Sequence, residues 1–401
     1  MDLSTHFSGI GTAELAVAQL QVASLEVFGR SLSLCVTSAC ESAPGCQSAL
    51  KQSLNTDACI LKDILARCPV AGKLFASARS LGHLDQSVEE VWRVLRQSGC
   101  ADTAGSCHQH GGEDCRTPRS MGDIAGSPCQ LWSFFGKRLA TTSHLIILLL
   151  TWALWVRWAA PLFLLHENVV GFDVGFLEWL LGDLYCVVAL RADPWQVGLH
   201  FARRPRIYVT LWLISKIEAV ADITDTYSKV VAAFAREFPC KFPLSSVFVA
   251  TEDDVQSEYD AAKGRKQKKR QRLDEEVRPS GSGKFEALLT AKQQGYLKIY
   301  EYKWKLLHTQ APNEDASCLF DLSQNPEKKP RQSRGGMAPT VLKKSHRLWS
   351  PFLGRWLLKK ELAVMLGFPT TNDFAKEAGI GNPIHVTSVG QIGIHRSGPS
   401  S

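Results

Sequence analysis

The sequence shows no regular cysteine framework and no internal repeat, and we expect no secretory leader. Its first residues, MDLSTHFSGIG, contain neither a basic segment nor an apolar segment of the kind found in signal peptides. The 12 cysteines are irregularly spaced, which argues against a disulfide-stabilised scaffold and favours a reduced, intracellular protein. The net charge is also small. The formal net charge of +7 on 401 residues allows a polyanionic partner without requiring one.

Long apolar runs are scarce as well, although 45% of the residues are hydrophobic, as in a folded globular protein. The one run long enough to suggest a membrane span is HLIILLLTWALWVRWAAPLFLL, at 144–165. Arg157 lies inside it, and Pro161 would break a helix near its end. We therefore expect a buried helix to about Ala159 and then a buried strand, with a membrane span as the alternative.

Short apolar runs alternate with helical patterns along residues 1–213. The runs MDLSTHF, SLCVTSA, LFLLHENV and RIYVTLWLI are typical of strands, whereas TAELAVAQLQ and CQSALKQSL have apolar residues at helical spacing. An insertion at about 66–120 interrupts this alternation with a helix, DQSVEEVWRVLRQ, and a loop rich in cysteine and histidine. The βαβ order predicts a doubly wound, mostly parallel sheet that binds ligands at the carboxyl ends of its strands.

The character of the chain changes at residues 214–345. This part holds helical patterns, a basic run RKQKKRQR at 265–272, the segment RPSGSGK and a second basic loop, EKKPRQSRGG. We expect an inserted, mainly helical, partly disordered cationic lobe. The basic run fits contacts with a DNA backbone, a nuclear localisation signal or a solvated charged surface. Residues 346–395 are again compact in pattern, and we expect them to return to the first domain.

Six short motifs occur in a fixed order: FSGIG, GSPCQ, HENV, ARRPRIYV, ELAVMLGFP and GNPIHVTSV. Their order, with a variable basic segment before GFP, resembles that of the cytosine-5 DNA methyltransferase family. The resemblance covers about 1–213 and 335–395, apart from the insertion. It implies a Rossmann-like doubly wound methyltransferase sheet, an inserted target-recognition lobe, S-adenosylmethionine as cofactor and duplex DNA, with the cytosine flipped out, as partner.

The chemistry of cytosine explains the residue types in these motifs. C5 is a poor nucleophile, so its methylation needs a temporary covalent bond at C6, for which a thiolate is the suitable attacking group. The resemblance makes Cys129 that nucleophile and Glu167 the acid at N3. It also implies that Arg204 and Arg206 hold the O2 atom of the base and a nearby phosphate.

The resemblance assigns the cofactor to residues near the amino terminus. Gly9 and Gly11, with Phe7, let the backbone turn tightly against the methionine part of the cofactor. Glu41 is the acid expected on the ribose hydroxyls, and Asp63 is the acid expected near the adenine.

The late motif supplies one further cofactor residue, Asn382, and shows one of three departures from the family pattern. Pro383 follows Asn382 where the family has a small polar residue, and Ala202 stands where it has glutamine. The gap between Asp63 and Cys129 is also longer than usual. Two alternatives therefore stay open: the tRNA-methylating branch of the superfamily, which makes RNA a second candidate partner, and a catalytically silent nucleic-acid-binding relative.

The loop CHQHGGEDC has side chains of the types that bind zinc: Cys107, His108, His110 and Cys115, with Cys100 upstream. Its spacing is not a regular pair of Cys-x-x-Cys motifs, so a flexible loop with unrelated cysteines is the alternative. We expect a monomer without a membrane segment, located in the nucleus, or in the cytoplasm if the source is bacterial.

Overall fold

The computed structural model describes residues 1–100, 103–116, 119–132, 142–197, 201, 204–218, 222–237, 243–273, 284–308, 318–328, 330–333, 336–341 and 347–366. The motif GNPIHVTSV and residues 278–283 of RPSGSGK lie outside these ranges. The chain divides into two compact units. Within the described residues, the first unit comprises 1–193 and 205–233, and the second comprises 194–204 and 234–366.

A seven-stranded sheet forms the centre of the first unit, in the order β3-β2-β1-β6-β7-β9-β8. Its strands are β1 Asp2–His6, β2 Cys35–Cys40, β3 Cys59–Leu61, β6 Gly122–Ala125, β7 Phe163–Val169, β8 Tyr185–Ala192 and β9 Arg206–Leu213. The pairs among β3, β2, β1, β6 and β7 are parallel, whereas β9 runs antiparallel to both β7 and β8. The predicted α/β class with a mostly parallel sheet is confirmed.

Within the described ranges, six α-helices lie between these strands along the chain, and a seventh follows β9 and continues into the second unit. They are α1 Thr12–Phe28, α2 Pro44–Ser53, α3 Pro69–Leu81, α4 Val88–Ser98, α5 Ile146–Ala159, α6 Val174–Leu181 and α7 Ile223–Glu237. The ends of some follow from local sequence. The side chain of Ser87 caps α4 and Glu90 returns a hydrogen bond to the backbone of Ser87, while α1 ends at Gly29 in the left-handed conformation.

The apolar run forms a helix and then a strand, as predicted. Helix α5 is almost wholly buried, and it ends at Ala160 in the left-handed conformation, just before Pro161. Arg157 reaches the surface at the end of this helix, where its two terminal nitrogens each lie 2.6 Å from an oxygen of Asp183. Among the helices in the described ranges, none is both long and apolar enough to cross a bilayer.

The insertion between β3 and β6 contains α3, α4 and a hairpin of β4 (Thr103–Ser106) and β5 (Asp114–Arg116). The hairpin continues the sheet beyond its edge strand β3, since Leu61 and Cys107 form a bridge and the His108 N–H donates to the carbonyl of Ile60 at 2.7 Å. Part of the edge of β3 is therefore covered.

The second unit has a separate core. Its regular elements are α8 Glu252–Leu273, α9 Ala291–His308, β10 Phe320–Asp321, β11 Leu348–Ser350, β12 Arg355–Trp356 and α10 Lys359–Met365. Strands β10, β11 and β12 form an antiparallel sheet, against which Tyr300 stacks on Phe320. Arg355 and Glu361 form a buried two-pronged ion pair with distances of 2.7 and 2.8 Å. Strands β11 and β12 and helix α10 come from the stretch expected to rejoin the first domain, and they lie in this unit.

Candidate active site

The carboxyl ends of five adjacent parallel strands place most of the predicted site residues along one edge of the sheet. In sheet order, the residues at or just beyond these ends are Asp63 after β3, Glu41 after β2, Phe7 after β1, Cys129 after β6 and Glu167 near the end of β7. Antiparallel β9 begins at the same edge with Arg206, opposite Val169. The strand order reverses direction between β1 and β6, and such a switch point is where open α/β sheets bind ligands. We call this region the sheet-edge site.

The loop after β1 makes a tight turn in which three residues have left-handed backbone conformations. Phe7, Gly9 and Gly11 have φ angles of 57°, 59° and 92°, and positive φ is uncommon and costly at a residue with a side chain such as Phe7. The N–H of Gly9 donates to Oε2 of Glu41 at 2.9 Å, and the other carboxylate oxygen of Glu41 accepts from the N–H of Ala43 at 2.8 Å. Glu41 thus ties the glycine loop to the end of β2 and keeps lone pairs for further donors.

A buried acid that the sequence motifs did not predict lies next to this loop. Glu14, in the first turn of α1, is 5% exposed and accepts a hydrogen bond on Oε1 from the hydroxyl of Thr5. Its other oxygen, Oε2, has no hydrogen-bonding partner within the described residues. Burial raises the pKa of Glu14 to about 7, against opposing hydrogen bonds from hydroxyl and backbone groups. Glu14 therefore titrates near neutral pH.

Contacts with the loop after β7 hold the turn that carries Cys129. The 3-10 turn Cys129–Leu131 begins immediately after Pro128, and Trp132 follows it. Trp132 packs edge-on against Phe172 at 5.2 Å between ring centres. A side chain at Gly171 would come within 2.9 Å of the carbonyl oxygen of Trp132, so the loop after β7 can lie this close only with glycine there.

Ser127 connects the Cys129 turn to β7. Its carbonyl oxygen and hydroxyl lie 3.2 and 3.0 Å from Nδ2 of Asn168, and its hydroxyl lies 2.9 Å from Nε2 of His166. Burial lowers the pKa of His166 to about 3, so this imidazole is neutral at physiological pH. Two side chains that flank Glu167 along β7 thus anchor the turn that contains Cys129.

Glu167 and Arg206 form an ion pair across β7 and β9. Nε of Arg206 lies 2.9 Å from Oε1 of Glu167, and their side chains are only 14% and 8% exposed. The Nε–H group of Arg206 is not aligned for a hydrogen bond to Oε1 of Glu167, so the contact is an ion pair without a hydrogen bond. The pair brings together the predicted acid and one of the two predicted arginines.

A buried network of polar side chains lies within the strands. Asp123 in β6 is wholly buried and accepts from Nε1 of Trp152 at 2.9 Å and from the hydroxyl of Ser4 at 2.5 Å. Nδ1 of His6 lies 2.7 Å from Oδ1 of Asp123. Desolvation lowers the pKa of His6, even though Asp123 acts in the opposite direction, so a neutral His6 donates to the carboxylate. Nothing in the motifs indicated this network, because β6 has only four residues and an aspartate at its second position.

The remaining predicted residues differ in placement. Asp63 is exposed, and its side chain caps the 3-10 turn Ile64–Arg67 by accepting from the N–H of Leu65 at 2.9 Å. Arg204 comes two residues before β9 and falls in the second unit. Asn382, Ala202 and Pro383 lie outside the described residues.

A second group of reactive side chains lies at the inserted hairpin. It joins three of the residues proposed from the sequence with one that the sequence spacing did not indicate: Cys59, Cys107, His110 and Cys115. Their ligand atoms all lie within 4.8 Å of one another. His108 and Cys100 are not part of this group. We call the four residues the cysteine–histidine cluster.

A doubly wound α/β domain with reactive side chains at its switch point is a class that includes many ligand-binding enzymes. No protein-family profile matches the chain, and no curated protein matches it. The solved structures to which the chain is similar include the Dnmt2 methyltransferase of S. pombe, at 13% identity over 57% of this chain and 54% of that one, with a TM-score of 0.34. They also include a putative DNA modification methyltransferase encoded within a prophage (E. coli), at 16% identity over 96% and 95%, with a TM-score of 0.41.

A third solved structure is the Entamoeba histolytica methyltransferase EhMeth, at 12% identity over 56% of each chain, with a TM-score of 0.31. The match spans about half the length of the Dnmt2 and EhMeth chains. These neighbours are methyltransferases, the class of enzyme that the sequence motifs resemble.

Proposed function

We propose that this chain is an S-adenosylmethionine-dependent methyltransferase that modifies C5 of cytosine in nucleic acid, with duplex DNA as its substrate. The observation that carries the proposal is the anchoring of Ser127 by Asn168 and His166. This contact ties the turn that carries a half-buried cysteine, after one parallel strand, to the neighbouring strand, which carries a glutamate near its carboxyl end. A nucleophile and an acid on neighbouring strands are the pair that attack at C6 requires.

Cys129 and Glu167 perform the covalent step in this proposal. The Cys129 thiolate forms a bond to C6, and the electron pair of the C5–C6 double bond is displaced toward C5 and the ring. Glu167 donates a proton to N3, which relieves the negative charge that develops on the ring. Arg206, 2.9 Å from Glu167, fixes the orientation of the carboxyl group and offers its remaining N–H donors to the O2 atom of the base.

The residues at the ends of β1 and β2 fit the proposed cofactor. The unpartnered Oε2 of Glu14 lies 3.8 Å from the position that a side chain at Gly11 would take. A buried carboxyl oxygen there suits a ligand with positive charge and N–H donors, while the free lone pairs of Glu41 suit hydroxyl donors. When bound, S-adenosylmethionine would supply the methyl group that C5 takes. A base would then remove the C5 proton, and its electron pair would re-form the C5–C6 double bond as the Cys129 thiolate leaves C6. N3 would return its proton to Glu167.

The second unit carries the basic run at 265–272, in the carboxyl-terminal part of α8. We propose that this run contacts phosphates, because clustered lysine and arginine neutralise a polyanion irrespective of its sequence. Binding to nucleic acid should then weaken steeply as the salt concentration rises.

The test is transfer of a labelled methyl group from S-adenosylmethionine to duplex DNA and, in a separate reaction, to tRNA. The wild type is compared with Cys129→Ser and with Cys35→Ser, an exposed cysteine at the start of β2 that serves as the matched control. Label in DNA that disappears only in Cys129→Ser supports the proposal. Label in tRNA alone assigns the chain to the RNA-modifying branch.

A duplex that contains 5-fluorocytosine tests the covalent step directly. Fluorine replaces the proton that a base must remove, so the bond between Cys129 and C6 should persist through denaturing electrophoresis. No adduct and no transfer, from a protein that still binds the cofactor, would contradict the enzymatic proposal and leave a nucleic-acid-binding protein.

A further inference from the structure

The cysteine–histidine cluster has the donor set and the spacing of a tetrahedral metal site. Nδ1 of His110 lies 3.4 Å from the sulfur of Cys107, 3.2 Å from that of Cys115 and 3.9 Å from that of Cys59. With Zn–S bonds of about 2.3 Å and Zn–N bonds of about 2.0 Å in a tetrahedron, a sulfur and a nitrogen ligand lie about 3.5 Å apart. The three measured distances bracket that value.

The orientation of the His110 ring also suits a metal ligand. Its second nitrogen, Nε2, lies 3.3 Å from the carbonyl oxygen of Thr56, which can only accept a hydrogen bond. Nε2 therefore carries the proton, and the lone pair of Nδ1 is directed toward the three sulfurs. Metal-bound histidines are typically held in this way, with the second ring nitrogen donating to a backbone carbonyl or a carboxylate.

The backbone brings the four side chains together from two separate elements. Cys59 begins β3, whereas Cys107 and Cys115 lie on either side of the hairpin turn. The turn is closed by a hydrogen bond from Gly112 N–H to the carbonyl of Cys107 at 2.7 Å, and Gly112 has a φ of 101°. A β-branched or bulky residue would be strained in that conformation, so the turn that brings His110 back toward the sulfurs depends on glycine.

We propose that Cys59, Cys107, His110 and Cys115 bind one structural Zn²⁺ ion that fastens the inserted hairpin to the edge strand β3. Three cysteines and one histidine are a common ligand set of closed, structural zinc sites, and no position is left for a substrate. Each thiol loses its proton when the sulfur binds the metal, so binding of the ion releases protons. The site is separate from the proposed reaction and needs no cofactor or nucleic acid.

The first experiment measures zinc in the full-length protein, purified with a phosphine reductant and without chelator. We expect one zinc per chain in the wild type and almost none in Cys59→Ser. The matched controls are His108→Ala and Cys100→Ser, which change neighbouring residues of the same types outside the cluster, and both should keep the zinc. Zinc that stays in Cys59→Ser, or is absent from the wild type, overturns the proposal.

A second measurement keeps the test decisive if Cys59→Ser does not fold. Cobalt exchanged for zinc in the wild type should give the intense visible absorption of tetrahedral Co²⁺ and a thiolate charge-transfer band in the near ultraviolet. His110→Cys retains four ligands and should still bind cobalt, with a spectrum shifted by the fourth sulfur. Two results would refute the zinc site. One is a weak cobalt spectrum of the octahedral type. The other is a disulfide among these cysteines in the protein as isolated, detected by alkylation and mass spectrometry.

Discussion

The sheet-edge site and the cysteine–histidine cluster, both in the first unit, hold their polar groups in opposite ways. At the sheet edge, the chain supplies its own partners: Asn168 holds Ser127, and Arg206 holds Glu167. In the cluster, Nδ1 of His110 faces only three sulfurs, which are weak hydrogen-bonding partners. These contacts at the sheet edge form within the chain before any ligand arrives, as expected for a preorganised reactive site, while Oε2 of Glu14 has no hydrogen-bonding partner among the described residues. The cluster would be completed by the proposed cation.

The largest expected effect is on methyl transfer. Glu167→Gln keeps the size of the side chain but removes the proposed acid, so the single-turnover transfer rate should fall by about 10²- to 10⁴-fold. Zinc content should not change, since the cluster shares no residue with this pair. The measurement is the rate of label transfer with enzyme in excess over DNA.

Glu178→Gln, an exposed glutamate on α6, is the matched control and should transfer methyl groups at the wild-type rate. Equal rates in Glu167→Gln and the control would mean that the carboxyl group at the sheet edge takes no part in the reaction. The ion pair with Arg206 would then be structural.

The buried network should be the most stability-sensitive part of the sheet edge. Asp123→Ala leaves the buried donors of His6 and Trp152 without their acceptor, and each buried donor left in this way costs about 1–3 kcal/mol of unfolding free energy. Asp183→Ala is the contrast. That aspartate pairs with Arg157 at the surface, where the carboxylate is 60% exposed, and its loss should cost less than about 1 kcal/mol.

Urea unfolding of the two variants measures this difference, provided that the slopes stay equal to that of the wild type. Asp123→Asn keeps one acceptor oxygen and should fall between the two. Equal losses in Asp123→Ala and Asp183→Ala would show that the network does not stabilise the fold.

The two regions also differ in how far the sequence could predict them. Cys129, Glu167 and Arg206 could be proposed from the sequence because each sits in a short motif at one end of a recognisable strand. Asp123 was missed because β6 is short and carries an aspartate, which is unfavourable in strands. Cys59 was missed because it is distant in sequence from Cys107, and only the pairing of the hairpin with β3 brings the two together. Local patterns predict strand ends, whereas contacts between distant segments depend on strand pairing.

Glu14 should make stability depend on pH. Its pKa is about 7 in the folded protein and 4.5 for a solvated side chain, so the unfolded chain loses this proton first as pH rises. The contribution of Glu14 to the free energy of unfolding is therefore fully present below about pH 4.5. Between about pH 4.5 and 7 it falls by about 1.4 kcal/mol per pH unit, a total loss of up to about 3 kcal/mol. Glu14→Gln cannot ionise, so it should gain stability relative to the wild type over that range.

Unfolding free energies at about pH 5 and about pH 8 measure this dependence. Glu89→Gln, which alters an exposed glutamate in the first turn of α4, should follow the wild type. If the curve for Glu14→Gln also runs parallel to the wild type, Glu14 is not kept protonated by burial.

The smallest expected effect is at Asp63. This residue follows β3, the strand that also carries Cys59 of the cysteine–histidine cluster. Asp63→Ala removes the cap of the turn Ile64–Arg67, which should cost about 1 kcal/mol. If Asp63 also holds the cofactor, the affinity of Asp63→Ala for S-adenosylmethionine should be lower by up to about tenfold, or 1.4 kcal/mol. Asp63→Asn keeps an acceptor and should be nearly silent in both measurements.

Calorimetric titration with S-adenosylmethionine separates the two effects, because loss of the cap alone leaves the affinity unchanged. The same titration after removal of zinc tests whether the cluster positions β3. A similar small loss of affinity in the metal-free protein would mean that the cation helps to hold the carboxyl end of this strand in place. Unchanged affinity in the metal-free protein, with reduced affinity in Asp63→Ala, would confine the effect of the metal to the hairpin and leave the sheet-edge site independent of it.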